Sequence, residues 1–180
     1  MISFARGAGL VLLGFVLLVV ESTVSTVIAP GPFAPNLILP IVIFLGVAPD
    51  VSVVRGVVVS FVLGYLLDLL TGNPMSLETF VLVATFLVSR GAGLRLFLRG
   101  PAFQVGLTFL ATLVAGGASS ALRAVFENPP PFPVHTPLES AARLVGPAVA
   151  TAVMAPIVFA LALRVDGAST ARRDDAGAAA

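Results

Sequence analysis

The run from Val51 to Leu70 reads VSVVRGVVVSFVLGYLLDLL, and its reading decides the fold. About 20 residues of low polarity is the length at which a helix crosses the hydrocarbon of a bilayer. Near its end stands Asp68, within Gly64-Tyr-Leu-Leu-Asp68-Leu-Leu-Thr-Gly72-Asn-Pro74. A carboxylate at or near bilayer depth is costly, so it is normally buried against protein and has a task there.

Composition extends that reading to the whole chain. Of its 180 residues, 58% are hydrophobic and only 11% are charged, with a mean hydropathy of +1.08. A soluble domain of this length buries only about two-thirds of the surface its unfolded chain exposes, which leaves too much of this chain in water. The class is therefore all-α, a multi-pass membrane helix bundle. With no cysteine, disulfides, thiolate metal sites and cysteine nucleophiles are excluded. A single histidine, His135, speaks against a histidine-built metal centre. No Gly-rich phosphate loop, His-Glu-x-x-His or Ser/His/Asp set is present, and Gly91-x-Gly93 reads as a flexible inner loop. The chain is thus expected to be no enzyme, with no catalytic residues, cofactor or metal. Nothing in it points to nucleic acid.

Six apolar segments are candidate spans: Gly7–Ile28, Asn36–Ala48, Val51–Leu70, Leu77–Val88 with its flanks, Ala102–Leu122 and Leu144–Leu163. The first, behind Arg6, resembles a signal peptide. It runs on to Ile28 without an Ala-x-Ala site, however, so it reads as an uncleaved helix. The second is short and carries Pro40, which fits either a re-entrant hairpin or a thin, tilted span. Every basic residue is arginine, and arginines concentrate in short cytoplasmic loops. Six spans with the N-terminus inside place Arg6, Arg55, Arg90, Arg95, Arg99, Arg164, Arg172 and Arg173 inside, and only Arg123 and Arg143 outside. Without a crossing by the second segment, the Arg90–Arg99 cluster would lie outside. Residues 1–165 are therefore expected to form one six-helix transmembrane domain with both termini cytoplasmic. Asp166–Ala180, small and polar, reads as a disordered cytoplasmic tail.

The boundaries are punctuated accordingly. Pro30 to Pro35 reads as a stiff outer loop, and Phe126–Pro137, with five prolines, as the largest outer loop. Asp50 is expected to cap the third helix and Ser76 the fourth. Gly56, Ser60, Gly64 and Asp68 recur every four residues and so share one face of the third helix. Small residues on one stripe let membrane helices approach closely. Thr108, Thr112, Gly116 and Ser120 form a similar face, as do Ala148, Ala152, Pro156 and Ala160. Glu21, Asp68, Glu78, Arg123 and Arg143 all fall in the outer third, where buried charges need partners. Asp68 either pairs with Arg123 or Arg143, or reaches interfacial water from its helix end. Arg90, Arg95 and Arg99 read as topogenic charge that also suits anionic headgroups.

The string from Gly64 to Phe80, with Asp68, Gly72 and Pro74 at its centre, resembles the rod shape-determining membrane protein MreD family. That family reads roughly Gly-x-x-x-Asp-x-x-x-Gly, then a short turn and Gly-x-x-Ala/Thr opening the next helix. A Pro-x-Leu-x-x-Pro-type second helix precedes it, here Pro35-Asn-Leu-Ile-Leu-Pro40. Length, six spans and a basic inner loop before the fifth helix also fit, so the resemblance covers most of the chain. It departs at Ser76, where the family often has glycine, and in the proline-rich outer loop. The resemblance implies a non-enzymatic subunit of the cell-wall elongation complex in the bacterial inner membrane. Its implied partners are an MreC-like bitopic protein, the RodA and class B penicillin-binding protein machinery, and indirectly MreB. It also implies a fold similar to the substrate-binding subunits of energy-coupling-factor vitamin transporters. That likeness supplies the alternative, a vitamin-binding transporter subunit, which would need a polar pocket open to the outside.

Overall fold

The structure, a computed structural model, describes the backbone of residues 2–27, 34–71, 76–93, 100–126 and 137–178. All regular structure among them is helical: α1 (Ile2–Val27), α2 (Ile38–Val47), α3 (Val53–Thr71), α4 (Leu77–Gly93), α5 (Pro101–Phe126) and α6 (Pro137–Ala178). Each expected segment is a helix. Three are long and apolar enough to cross a membrane, over Val53–Thr71, Ala102–Val125 and Ala141–Gly167, while the apolar stretches Gly7–Thr23 and Ile38–Val47 are shorter. These helices mark the chain as a membrane protein.

Helix α6 continues through 166–178. Extending an existing helix adds a hydrogen bond per residue with no new nucleus, and the alanines and arginines there are good helix formers. One expectation is corrected here: the N-terminus of α3 is capped by Ser52 rather than Asp50. The Arg55 amide donates to Ser52 Oγ at 3.4 Å, and the first intrahelical bond runs from Gly56 N to Ser52 O at 3.0 Å.

Close approaches fix the direction of each helix. Gly7 of α1 lies beside Arg55 and Val59 of α3, and Gly14 beside Leu63, so α1 and α3 run parallel. Gly56 meets Phe86 and Gly64 meets Thr79, so α4 returns antiparallel to α3. Gly46 and Gly93 bring the C-terminal ends of α2 and α4 together. Ser119 reaches Glu78, Gly116 meets Leu144, and Gly9 meets Val165. The six helices therefore alternate in direction along the chain. Glu21, Leu37, Asp68, Glu78 and Ser119 lie at one end of the bundle, and Gly7, Ala48, Arg55, Arg90 and Val165 at the other.

Helix α2 is the centre of the bundle and touches all five other helices. Every residue from Ile38 to Gly46 is buried, as expected of a helix apolar on all sides. Phe44 packs edge-on against Phe159 of α6 at 5.8 Å between ring centres. Ten residues rise only about 15 Å, half the ~30 Å of hydrocarbon. The helices around it turn apolar side chains outward, including Leu12, Val54, Val58, Phe61, Phe80, Val88, Leu110, Val114, Val153 and Ile157. A surface of that kind suits lipid.

Candidate functional site

The expected stripe on α3 packs against α4. Gly56, Ser60, Gly64 and Asp68 are all buried. A side chain at Gly56 would run into the ring of Phe86, itself fully buried. A Cβ on Gly64 would lie 2.5 Å from Thr79 Cα and 3.1 Å from Thr79 N. These glycines bring the two backbones close enough for a side chain of one helix to reach the end of the other.

Asp68 makes use of that approach. One turn beyond Gly64, its carboxylate meets the first turn of α4. Oδ1 accepts the Glu78 amide at 3.0 Å. Oδ2 accepts the Thr79 amide at 3.1 Å and the Thr79 hydroxyl at 2.7 Å. Asp68 is 4% exposed and Thr79 equally so. The first amides of a helix lack intrahelical acceptors, and a carboxylate also complements the positive end of the helix dipole. Asp68 is therefore an N-cap supplied by a neighbouring helix, and its partners are amides and a hydroxyl rather than Arg123 or Arg143.

Ser76, expected as the cap of α4, instead has φ 76°. The left-handed region suits glycine and strains other residues. Ser76 contributes only its carbonyl, which accepts the Phe80 amide at 3.0 Å. Gly72 and Pro74 lie outside the described residues.

A second capped end lies at the same end of the bundle. The Glu21 carboxylate of α1 accepts the Leu37 amide at 2.9 Å. The Asn36 side chain accepts the amides of Ile38 and Leu39, both at 3.1 Å. Pro40 has no amide to satisfy, so its place in the first turn costs no hydrogen bond. The Asn36 amide in turn donates to Thr151 Oγ1 of α6 at 2.9 Å. At the other end of α2, Arg90 of α4 donates to Ala48 O at 2.6 Å. Both ends of a helix enclosed by protein are thus satisfied by protein, which is what a site without bulk water requires.

The remaining expected charges sort around these networks. Glu78 accepts the Ser119 hydroxyl at 3.3 Å and is attracted electrostatically by Arg123. Arg123 thus serves Glu78, not Asp68. Arg143 is exposed and precedes Leu144, which packs by Gly116. Sequence reasoning missed Asn36, Thr151 and Arg90 as working residues. Asn36 directly before an apolar run is an N-cap signal that was available. No pattern in the sequence pointed to Thr151, and Arg90 was fully accounted for by topology.

No family model matches this chain, and neither does any curated protein or solved structure. The class that fold and site define is a helical membrane protein built on inter-helix caps.

Proposed function

We propose that this chain is a non-enzymatic subunit of the bacterial cell-wall elongation complex, of the MreD type, crossing the inner membrane six times with both termini in the cytoplasm. It docks an MreC-like bitopic protein and, through it, the RodA and class B penicillin-binding protein machinery with MreB.

The observation that carries this reading is the coincidence of motif and geometry. The two strings that carry the resemblance, Pro35–Pro40 and Gly64–Phe80, are the strings that build the two capped helix ends. Gly64 gives the close approach, Asp68 gives the cap, and Ser76 holds left-handed backbone at the position where the family often has glycine. Among the described residues, Gly64, Asp68 and Ser76 thus act on the same helix junction, which supports the reading.

The polar residues of that end support docking over small-molecule transport. Glu21, Asn36, Asp68, Thr79, Glu78, Ser119 and Thr151 bond to helix ends and to one another. A vitamin-binding subunit would keep such groups for its ligand.

Depletion in a rod-shaped bacterium that carries the chain is the test. Rounded cells without vitamin auxotrophy are expected, together with photo-crosslinks from Phe126–Pro137 or the Asp68 end of α3 to an MreC-like protein. Vitamin-dependent growth, or tight binding of a vitamin by the purified chain, would replace this reading with the transporter subunit.

A further inference from the structure

Helix α4 is short and yet faces outward. The shorter α2 is enclosed by protein, whereas α4 leaves Phe80, Leu87 and Val88 exposed. The 17 residues of α4 rise about 25 Å, less than the ~30 Å of hydrocarbon. It is not among the three helices long and apolar enough to cross a membrane.

The shortfall lies at the Asp68 end. A Cβ on Gly64 of α3 would touch Thr79, and α3 continues for seven residues more, to Thr71. Ser119 of α5 bonds to Glu78, and α5 continues for seven residues more, to Phe126. Seven residues are about 10 Å of helix, so α4 begins about 10 Å below the ends of both neighbours. At the Arg90 end it falls short of nothing. Phe86 lies against Gly56 near the start of α3, and α4 runs on to Gly93.

Side chains at the level of this step differ around the bundle. At the start of α4, Ser76 and Ser120 are exposed and Glu78 is half-buried. On the far side of α3, Gly14 of α1 packs by Leu63, one residue from Gly64, and Phe15, Val16 and Val19 are exposed there. The level that is polar beside α4 is thus apolar beside α1. A carboxylate in hydrocarbon is costly, and a hydrophobic stretch shorter than the bilayer is accommodated by thinning it locally.

We propose that the leaflet at the Asp68 end is thinned beside α4. Water and lipid headgroups descend there by about 10 Å, the rise of seven residues, to Ser76, Glu78 and Ser120. Beside α1 the leaflet keeps its full thickness. The α4 flank therefore suits shorter acyl chains than the rest of the bundle. The proposal rests on α4 crossing the bilayer, as the six-span reading has it.

The test is the depth of a nitroxide label on single cysteines, introduced as Phe80→Cys, Phe15→Cys or Leu87→Cys into this cysteine-free chain. All three side chains are exposed, so a label there leaves the packing intact. The chain is reconstituted in vesicles of phosphatidylethanolamine and phosphatidylglycerol. Collision with oxygen reports hydrocarbon, and collision with a water-soluble nickel chelate reports water. Positions 80 and 15 share one level to within a turn of helix, so a flat bilayer gives them one depth. The label at 80 is expected about 10 Å shallower than the label at 15 and open to the chelate, with 15 and 87 open to oxygen alone. Shorter acyl chains should shrink the contrast between 80 and 15. Equal depths at 80 and 15, or a contrast that ignores acyl length, overturn the thinning and leave the crossing intact. Chelate access at 87 as well would mean that α4 does not cross, which overturns the six-span reading and the proposal with it.

Discussion

Asp68 accepts three hydrogen bonds from two consecutive residues of another helix, and its variants separate that role from simple burial. Asp68→Ala leaves two amides and a hydroxyl without an acceptor, a loss of about 2–4 kcal/mol when a cap and bonds to a charged group go together. Asp68→Asn keeps one accepting oxygen and turns an NH2 toward an amide donor, so it should fall between wild type and alanine. Thr79→Val removes only the hydroxyl and should cost about 1 kcal/mol. Equilibrium unfolding in detergent measures all three; an Asp68→Ala protein as stable as wild type would make Asp68 an interfacial carboxylate. Ser76 gives the opposite sign. A non-glycine residue in left-handed backbone is strained by about 1–2 kcal/mol, so Ser76→Gly should raise stability by up to roughly that amount. The burial of Asp68 was legible in the sequence, because an acid in an apolar run has few other places to go. Its partners were not, because every residue but proline carries a backbone N–H and a sequence pattern singles none of them out.

Between elements, small residues divide by what they face. The stripe on α3 was legible from its period of four, and it does meet a helix. Gly64→Ala would put a methyl against the α4 backbone and should cost about 1–3 kcal/mol, the range for overpacking. Because the same shift withdraws Asp68 from the α4 amides, Gly64→Ala and Asp68→Ala together should cost less than the sum of the two, by about 0.5–3 kcal/mol. Gly106 of α5 has open space around it, so Gly106→Ala should be neutral or stabilising by up to about 1 kcal/mol through helix propensity. Equal effects at the two glycines in the same unfolding assay would remove the close-approach argument. The span of α2 was legible from its apolar run, but its clamps were only half so. Asn36 is local to the helix it caps. Glu21, Thr151 and Arg90 reach it across sequence separations of 16, 115 and 42 residues, which no local pattern encodes. The cap of α3 was misassigned for a simpler reason: Asp50 and Ser52 are both good N-caps, and only the helix start at Val53 decides between them.

For the whole molecule, two independent lines support the proposed topology. Arginine placement favours both ends on the cytoplasmic side, and the close approaches between helices make successive helices alternate in direction. The short α2 is the element on which they could have disagreed. Its ten residues fall short of a bilayer, yet its first residue adjoins the Glu21 end and its last the Arg90 end. It therefore carries the chain from one end of the bundle to the other inside a sleeve of longer helices. A re-entrant hairpin would bring Asn36 and Ala48 to the same end, and their partners lie at opposite ends. Burial on all sides makes a short crossing tolerable, since both helix ends bond to protein instead of lipid. Reporter fusions at Arg95 and Ala180 should consequently signal cytoplasm, and one at Phe132 the outside. An outside signal at Arg95 would mean that α2 does not carry the chain across, and the alternation of the six helices would then describe packing without topology.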